Sequence, residues 1–216
     1  MNIAWILLYT LVTHGLKIVI FFKVDGIGLT FERIFKAFLF KLLLAVVFVM
    51  ISYIVGNTYL SYFMEPLYGI GLSFLLLRGL PKKLLLFYGL FPIVLMNIFY
   101  RSVSYFVLPF LGQGIVDRDG NPVFLLMMIF VCFLVLVFLK WLDYDFTSLR
   151  KEILDKDFQK SLTKINWIMG AYYLVIQNLS YFEYEQGIQS TTVRHLILVF
   201  YLLFFMGVIK KLDTYL

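Results

Sequence analysis

Two ionisable side chains stand inside long apolar segments of the chain, Glu65 near the start of one and Arg101 toward the end of the next. A charge in hydrocarbon is costly, so such residues usually pair with one another or line a ligand or ion pathway. The short polar turn at 78–83 makes the two segments antiparallel neighbours. We therefore predict that Glu65 and Arg101 are ion-pair partners, either as a bridge that fixes the hairpin or as the lining of an outward-facing pocket.

Aromatic, amide and acidic residues near the outer ends of the segments complete the candidate ligand site. Tyrosines there are also typical of an interfacial belt, and amides within spans, including Asn97, of hydrogen bonds between helices, so a structural role stands beside ligand binding for each. With Glu65 and Arg101, the predicted ligand contacts are Tyr68, Tyr105, Asp117, Asp119, Gln177, Tyr181, Glu183 and Glu185.

The sequence contains no arrangement typical of a catalytic or metal site. His14 and His195 are isolated histidines without a second ligand at metal-binding spacing, and no protease, hydrolase or phosphate-loop motif occurs. Glu183 and Glu185 lie in a predicted outer loop rather than in a sequestered acid/base pair. Cys132 reads as a small core or lipid-facing residue. We predict no catalytic residues, no metal and no cofactor.

The composition is that of a membrane protein. Hydrophobic residues make up 62% of the 216 residues, charged residues only 15%, and the mean hydropathy is +0.91, far from the usual quarter of charged residues. An all-α, multi-pass protein of about seven spans follows, with no room for a soluble catalytic domain. The net charge of +6 is predicted to face one side of the membrane, so we predict no nucleic-acid partner.

Seven apolar runs define the predicted spans. Lys and Arg are concentrated in alternate connections and the tail, which hold fourteen of the 19 basic residues against two in the other connections. The positive-inside rule then places the N-terminus outside and the C-terminus inside. The runs are about 3–22, 37–56, 59–77, 84–105, 122–140, 166–183 and 193–209.

The connections between the spans, and two lysines within the spans, lead to further predictions. Turn residues at 56–58 and 79–81 make the second, third and fourth helices a connected antiparallel unit. Lys17 and Lys41 are predicted to extend their ammonium groups to the cytoplasmic headgroups. Residues 143–164 fit an interfacial helix or a solvated linker. We expect a transmembrane domain over 1–209, and the start of a cytoplasmic helix at 210–216.

Three stretches resemble the membrane sensor half of streptococcal peptide-pheromone receptor histidine kinases, the ComD/BlpH-like receptors of quorum-sensing two-component systems. They are EPLYGIGLSFLLL at 65–77, FYGLFPIVLMNIFYRS at 87–102 and YYLVIQNLSYFE at 172–183. The polar residues in these stretches are the main support for the resemblance, because apolar membrane segments resemble one another easily.

The resemblance implies a multi-pass receptor in a Gram-positive plasma membrane, surrounded by lipid, that binds a secreted peptide pheromone at its outer face. It implies a relay through the last helix to a kinase region, a homodimer formed through that region, and a cognate response regulator where the kinase is present. No phosphoacceptor or nucleotide-binding motif occurs in the 216 residues. The alternatives are a small-solute transport component, such as a membrane substrate-binding subunit, and a bacteriocin-immunity-type membrane protein.

Overall fold

A computed structural model describes most of the chain. The described residues are 3–56, 63–111, 122–143 and 146–186, with residues 199, 203, 206–210 and 212 near the C-terminal end. Every regular element in these ranges is helical, which confirms the all-α prediction for the described residues. The predicted seventh run at 193–209 falls mostly outside them.

In the ranges up to residue 186 that the structure describes, six α-helices follow one another in the order of the predicted spans. Their apolar runs account for where they form, and glycines with positive φ end or connect them at Gly56 (φ 66°) and Gly79 (φ 95°), a conformation that residues with a Cβ rarely adopt. The helices are α1 (Ile3–Asp25), α2 (Phe31–Val55), α3 (Met64–Leu76), α4 (Lys82–Leu111), α5 (Pro122–Leu142) and α6 (Lys156–Gln186).

Three of the helices in the described part of the chain are long and apolar enough to cross a membrane. They are Phe31–Val55, Lys82–Phe106 and Val123–Leu142, and α3 is apolar but has only 13 residues. Of the 25 residues of α2, only Ala37, Lys41 and Phe48 are buried. One face of α2 packs on the bundle, and the other presents exposed apolar side chains such as Leu42, Val49 and Ile54, as a lipid-facing helix does.

The helices α2, α3 and α4 form an antiparallel unit as the sequence predicts, whereas most of the predicted turn at 56–58 lies outside the described residues. The turn after α3 is five residues long, from Leu77 to Pro81, and returns the chain along α3 as α4. The start of α2 lies beside the end of α3, because Glu32 and Lys36 border the same surface depression as Leu76. α2 and α3 are thus antiparallel neighbours.

Two glycines set the close approach of α3 to α4. A methyl group on Gly89 would lie 2.5 Å from the Cα of Ile70, and one on Gly69 would overlap the carbonyl oxygen of Gly89. Such distances do not occur between real atoms, so only glycine allows this backbone contact. Close packing at this crossing fixes the position of α3, which carries Glu65.

The main core lies around α4. Leu84, Phe87, Tyr88 and Leu95 of α4 are almost fully buried against side chains of α1, α5 and α6. Cys132 belongs to this core with 1% of its surface exposed, which fits the core alternative of its two predicted roles. A second buried cluster joins α1 to α2 and α3 through Phe22, Ala37 and Leu72, among others.

The connection between α5 and α6 differs from both predicted forms. It has two single 3₁₀ turns, Ser148–Arg150 and Glu152–Leu154, and α6 begins at Lys156 instead of 166. Phe146 and Leu149 are buried in the core, and the Tyr88 hydroxyl donates a 2.6 Å hydrogen bond to the Phe146 carbonyl oxygen. The segment before α6 is therefore not a continuous helix, and Phe146 and Leu149 pack inward while Leu154 is exposed.

Arg150 ties the same connection to α1. Its guanidinium donates through Nη2 to the backbone carbonyl oxygen of Asp25, the last residue of α1, and lies 5.6 Å from the centre of the Tyr88 ring. The connection thus closes the end of the bundle at which α1 ends and α4 and α6 begin.

We expect the Gly69→Ala variant to be less stable than the wild type by about 2 kcal/mol or more, because α3 and α4 must separate to admit the methyl group. Reversible unfolding in detergent micelles measures this change. Gly170→Ala is the matched control, since nothing lies within 4 Å of a methyl group at that helical position. The control should be neutral or stabilised by up to about 1 kcal/mol, and an equal loss in both variants would contradict the proposed close contact.

Candidate functional site

Glu65 stands at the centre of a charged cluster formed by three helices. Its carboxylate accepts a hydrogen bond of 2.8 Å from Lys41 Nζ of α2 and one of 3.2 Å from Lys17 Nζ of α1, both at Oε1. His14 lies one helical turn from Lys17 and close enough to interact electrostatically with Glu65. The cluster therefore joins α1, α2 and α3 through a single carboxylate.

The two lysines have different surroundings. The gross attraction of each to Glu65 differs by less than about 1 kcal/mol at an effective dielectric constant of about 20, so distance alone does not separate them. The two lysines differ in burial, because the Lys41 side chain is only 6% exposed and the Lys17 side chain is 28% exposed. Lys41 is the enclosed partner of Glu65, and Lys17 is the accessible one.

Tyr68, one turn after Glu65, encloses Lys41. The Lys41 ammonium lies 4.6 Å from the centre of the Tyr68 ring, a cation–π distance. The Tyr68 hydroxyl donates to the carbonyl oxygen of Ala37 at 3.3 Å, and Phe40 stacks on the ring at 5.9 Å between centroids. Tyr68 thereby holds the middle of α2 against α3 and limits access to Lys41.

A cavity of about 200 Å³ opens beside the cluster and is bordered by α1, α3, α4, α5 and α6. Its apolar lining includes Phe21, Ile93, Met96 and Met128. Polar groups face the same space from four of the five helices. These polar lining residues are Lys17, Glu65, Tyr68, Asn97, Tyr100 and Tyr173.

The predicted ion pair between Glu65 and Arg101 is wrong. Arg101 donates through Nε to Asn97 Oδ1 at 3.1 Å, one turn earlier on α4, while Glu65 is occupied by the two lysines. The predicted extension of Lys17 and Lys41 to the cytoplasmic headgroups is wrong for the same reason. Both ammonium groups instead contact the Glu65 carboxylate within the bundle.

Positive charge exceeds negative charge around the cavity. Two lysines face one carboxylate, and Arg101, whose partner Asn97 lines the cavity, makes no ion pair with any residue in the described ranges. An uncompensated cation inside a low-dielectric region is unfavourable without an anionic or hydrogen-bonding partner. The arrangement is therefore electrostatically suited to an anionic group.

The other predicted ligand contacts have different outcomes. Tyr68 lines the cavity as expected, whereas the Tyr105 ring packs edge-on against Phe106 and does not border it. Asp117 and Asp119 lie outside the described residues. The backbone of α6 continues to Gln186, so the predicted loop position of Glu183 and Glu185 is wrong, and the side chains of these and of Gln177 and Tyr181 are outside the described part.

The predicted ligand contacts do not include Lys17, Tyr100 or Tyr173, although all three line the cavity and Tyr100 is one of the tyrosines predicted near the outer ends of the spans. Each stands within an apolar run, where Lys17 was interpreted as an interfacial anchor. The signal in the sequence is the number of ionisable groups within the spans. Lys17, Lys41 and Arg101 are three cations, and Glu65 cannot give each of them a separate partner. That imbalance indicates that Glu65 would have more than one basic neighbour.

Fold and site together define a helical protein with three helices long enough to span a membrane and a charged cavity within the bundle. No family model, curated protein or solved structure matches the chain. In the described residues, no group of three or more His, Cys, Asp or Glu side chains is placed to hold a metal ion.

We expect Lys41→Gln to lower the free energy of unfolding by about 1–3 kcal/mol, because it leaves the partly buried carboxylate of Glu65 with only its longer contact, to Lys17. Arg101→Gln should cost about 1 kcal/mol or less, since it removes one hydrogen bond within α4. Unfolding of both variants in detergent, each also combined with Glu65→Gln, measures the coupling. Coupling of Glu65 to Arg101 instead of Lys41 would overturn the assigned ion pair.

Proposed function

We propose that the chain is the membrane sensor portion of a peptide-pheromone receptor histidine kinase. In this proposal it crosses a Gram-positive plasma membrane seven times, with the N-terminus outside and the C-terminus inside. The three apolar helices long enough to span a membrane and the one-sided distribution of basic residues support that topology.

The observation that carries the proposal is the convergence of the resembling stretches on one cavity. Glu65 and Tyr68 come from the first stretch, Tyr100 from the second and Tyr173 from the third, and all four line the same space. These positions lie on three different helices, so their meeting does not follow from proximity in the sequence. A ligand site built from the polar positions of the resemblance is what a receptor requires.

The residues that line the cavity suit contact with a peptide, but the volume of the cavity admits only a small part of one. At about 200 Å³, it is smaller than the roughly 300–1,000 Å³ of sites that enclose a whole small ligand. A helical peptide would therefore lie at the outer face and insert one side chain or its terminus between the helices. Apolar and aromatic lining residues suit the apolar face of an amphipathic peptide.

Signal relay in this proposal passes along the bundle toward the C-terminal helix. Residues 206–210 are helical, and Val208 is buried in the same core as α4 and α6. A shift of α4 or α6 on ligand binding would therefore reach this segment by direct packing. The kinase region, homodimer and response regulator belong to the larger system that the resemblance implies.

The small-solute transport alternative is favoured by one observation, the size of the cavity. A space of about 200 Å³ bordered by five helices would enclose a small solute more completely than a peptide. This alternative requires a transporter subunit as partner and solute binding without peptide binding.

The test uses a synthetic mature peptide encoded beside the gene behind a double-glycine leader, labelled with a fluorophore. We expect saturable binding to the purified chain in lipid nanodiscs. Ile93→Trp should weaken binding about tenfold or more, equivalent to about 1.4 kcal/mol or more, because the indole fills the cavity. Ile129→Trp, on the exposed face of α5, is the matched control and should bind as the wild type does.

A folded wild-type chain that shows no saturable peptide binding would overturn the receptor proposal. Stabilisation by small solutes in that same preparation would instead support the transport alternative. Equal peptide affinity in Ile93→Trp and the wild type would place the peptide site elsewhere on the chain.

A further inference from the structure

We propose that the cavity is a binding site for a single carboxylate group, held by Lys17. The proposal begins from the uneven charge of the cluster, in which two ammonium groups share one carboxylate oxygen of Glu65. A second carboxylate placed at Lys17 would give each lysine its own anion and make the cluster neutral. An entering carboxylate would lose part of its hydration and gain a charged hydrogen bond from Lys17, which now shares one carboxylate oxygen with Lys41.

Lys17 is the recognition group because it is the lysine that faces the cavity. Its Nζ has the longer contact with Glu65, 3.2 Å against 2.8 Å for Lys41, and its side chain is 28% exposed. Lys41 is enclosed by Tyr68 and does not line the cavity. Lys41 can therefore hold Glu65 in place while Lys17 turns toward a ligand.

Arg101 and Asn97 supply a second favourable element. Asn97 borders the cavity and uses its Oδ1 atom to accept from Arg101, so its Nδ2 amide group is the part that can donate to a ligand. The fixed charge of Arg101 lies directly behind it. A carboxylate between Lys17 and Asn97 would meet one direct cation and an amide polarised by another.

The small volume of the cavity limits the size of the ligand group. About 200 Å³ corresponds to roughly six or seven water molecules, enough for a carboxylate on a short apolar body. The ligand is then either a free small carboxylic acid or the acidic side chain or C-terminus of a peptide. Assignment to a peptide rests on the proposed function, whereas binding of the carboxylate does not.

The first experiment compares N-acetyl-leucine with N-acetyl-leucinamide, which have the same apolar body and differ in the carboxylate. Nuclear magnetic resonance titration of each probe with the chain in nanodiscs gives its dissociation constant. We expect the acid to bind at least about tenfold more tightly than the amide. Equal affinities for the two probes, or no binding of the acid, would overturn the proposal.

Variants assign the binding to Lys17. Lys17→Met should abolish the preference for the acid, and Lys17→Arg should keep it, because the guanidinium preserves the charge. Lys36→Met is the matched control, since it removes a lysine from an exposed pair with Glu32, and should behave as the wild type does. If Lys17→Met fails to fold, retention of the preference in Lys17→Arg supports the site, and its loss there counts against it.

A second experiment separates the source of the carboxylate from the function. The peptide of the receptor test is compared with versions that have an amidated C-terminus or amides in place of the acidic side chains. Binding that weakens about tenfold with one of these changes, in the wild type but not in Lys17→Met, supports a peptide carboxylate in the cavity. Peptide binding that is unaffected by every change excludes a peptide carboxylate from the cavity but leaves the receptor proposal standing. Binding of the acid probe without any peptide binding supports the carboxylate site and counts against the receptor proposal.

Discussion

The ion pair between Glu65 and the two lysines is the constraint on which this structure depends. A charge within the bundle is tolerated only when an opposite charge and hydrogen bonds offset its lost hydration. Glu65 meets that condition with partners from two other helices, Lys17 of α1 and Lys41 of α2. The positions of α1, α2 and α3 are therefore linked by one carboxylate, and none of these helices can move far without exposing a charge.

The linkage adds a polar contact to α2, whose apolar packing on the bundle is limited to one face. Only Ala37, Lys41 and Phe48 are buried on this helix, and two of them belong to its contact with Tyr68. In contrast, α3 is fixed to α4 by backbone contact at Gly69 and Gly89. The pair α3 and α4 thus holds Glu65 in a fixed position, and α2 packs against α3 through the Lys41 ion pair and through apolar contacts that include Ile34, Phe38 and Leu44.

Sequence reasoning succeeded where local pattern decides the structure. Apolar runs of sufficient length predict the helices, and Gly79 and Pro81 predict the turn that makes α3 and α4 neighbours. The same reasoning identified Glu65 and Tyr68 as site residues. It failed on the partner of Glu65, because the turn fixes which helices are adjacent but not which of their faces meet. It also failed at 143–164, where charged residues suggested exposure but the rotation of the segment buries Phe146, Leu149, Phe158 and Leu162.

The placement of Lys17 gives the cavity a direct connection to the attachment of α2. Lys17 and Lys41 contact the same oxygen of Glu65, so a ligand that draws Lys17 away leaves Lys41 as the sole cation at this carboxylate. Movement of Lys17 would remove its repulsion of Lys41 at the shared oxygen, and α2 would be held more firmly against α3. Occupancy of a cavity that α2 does not line can therefore change how tightly α2 is bound, without contact between ligand and helix.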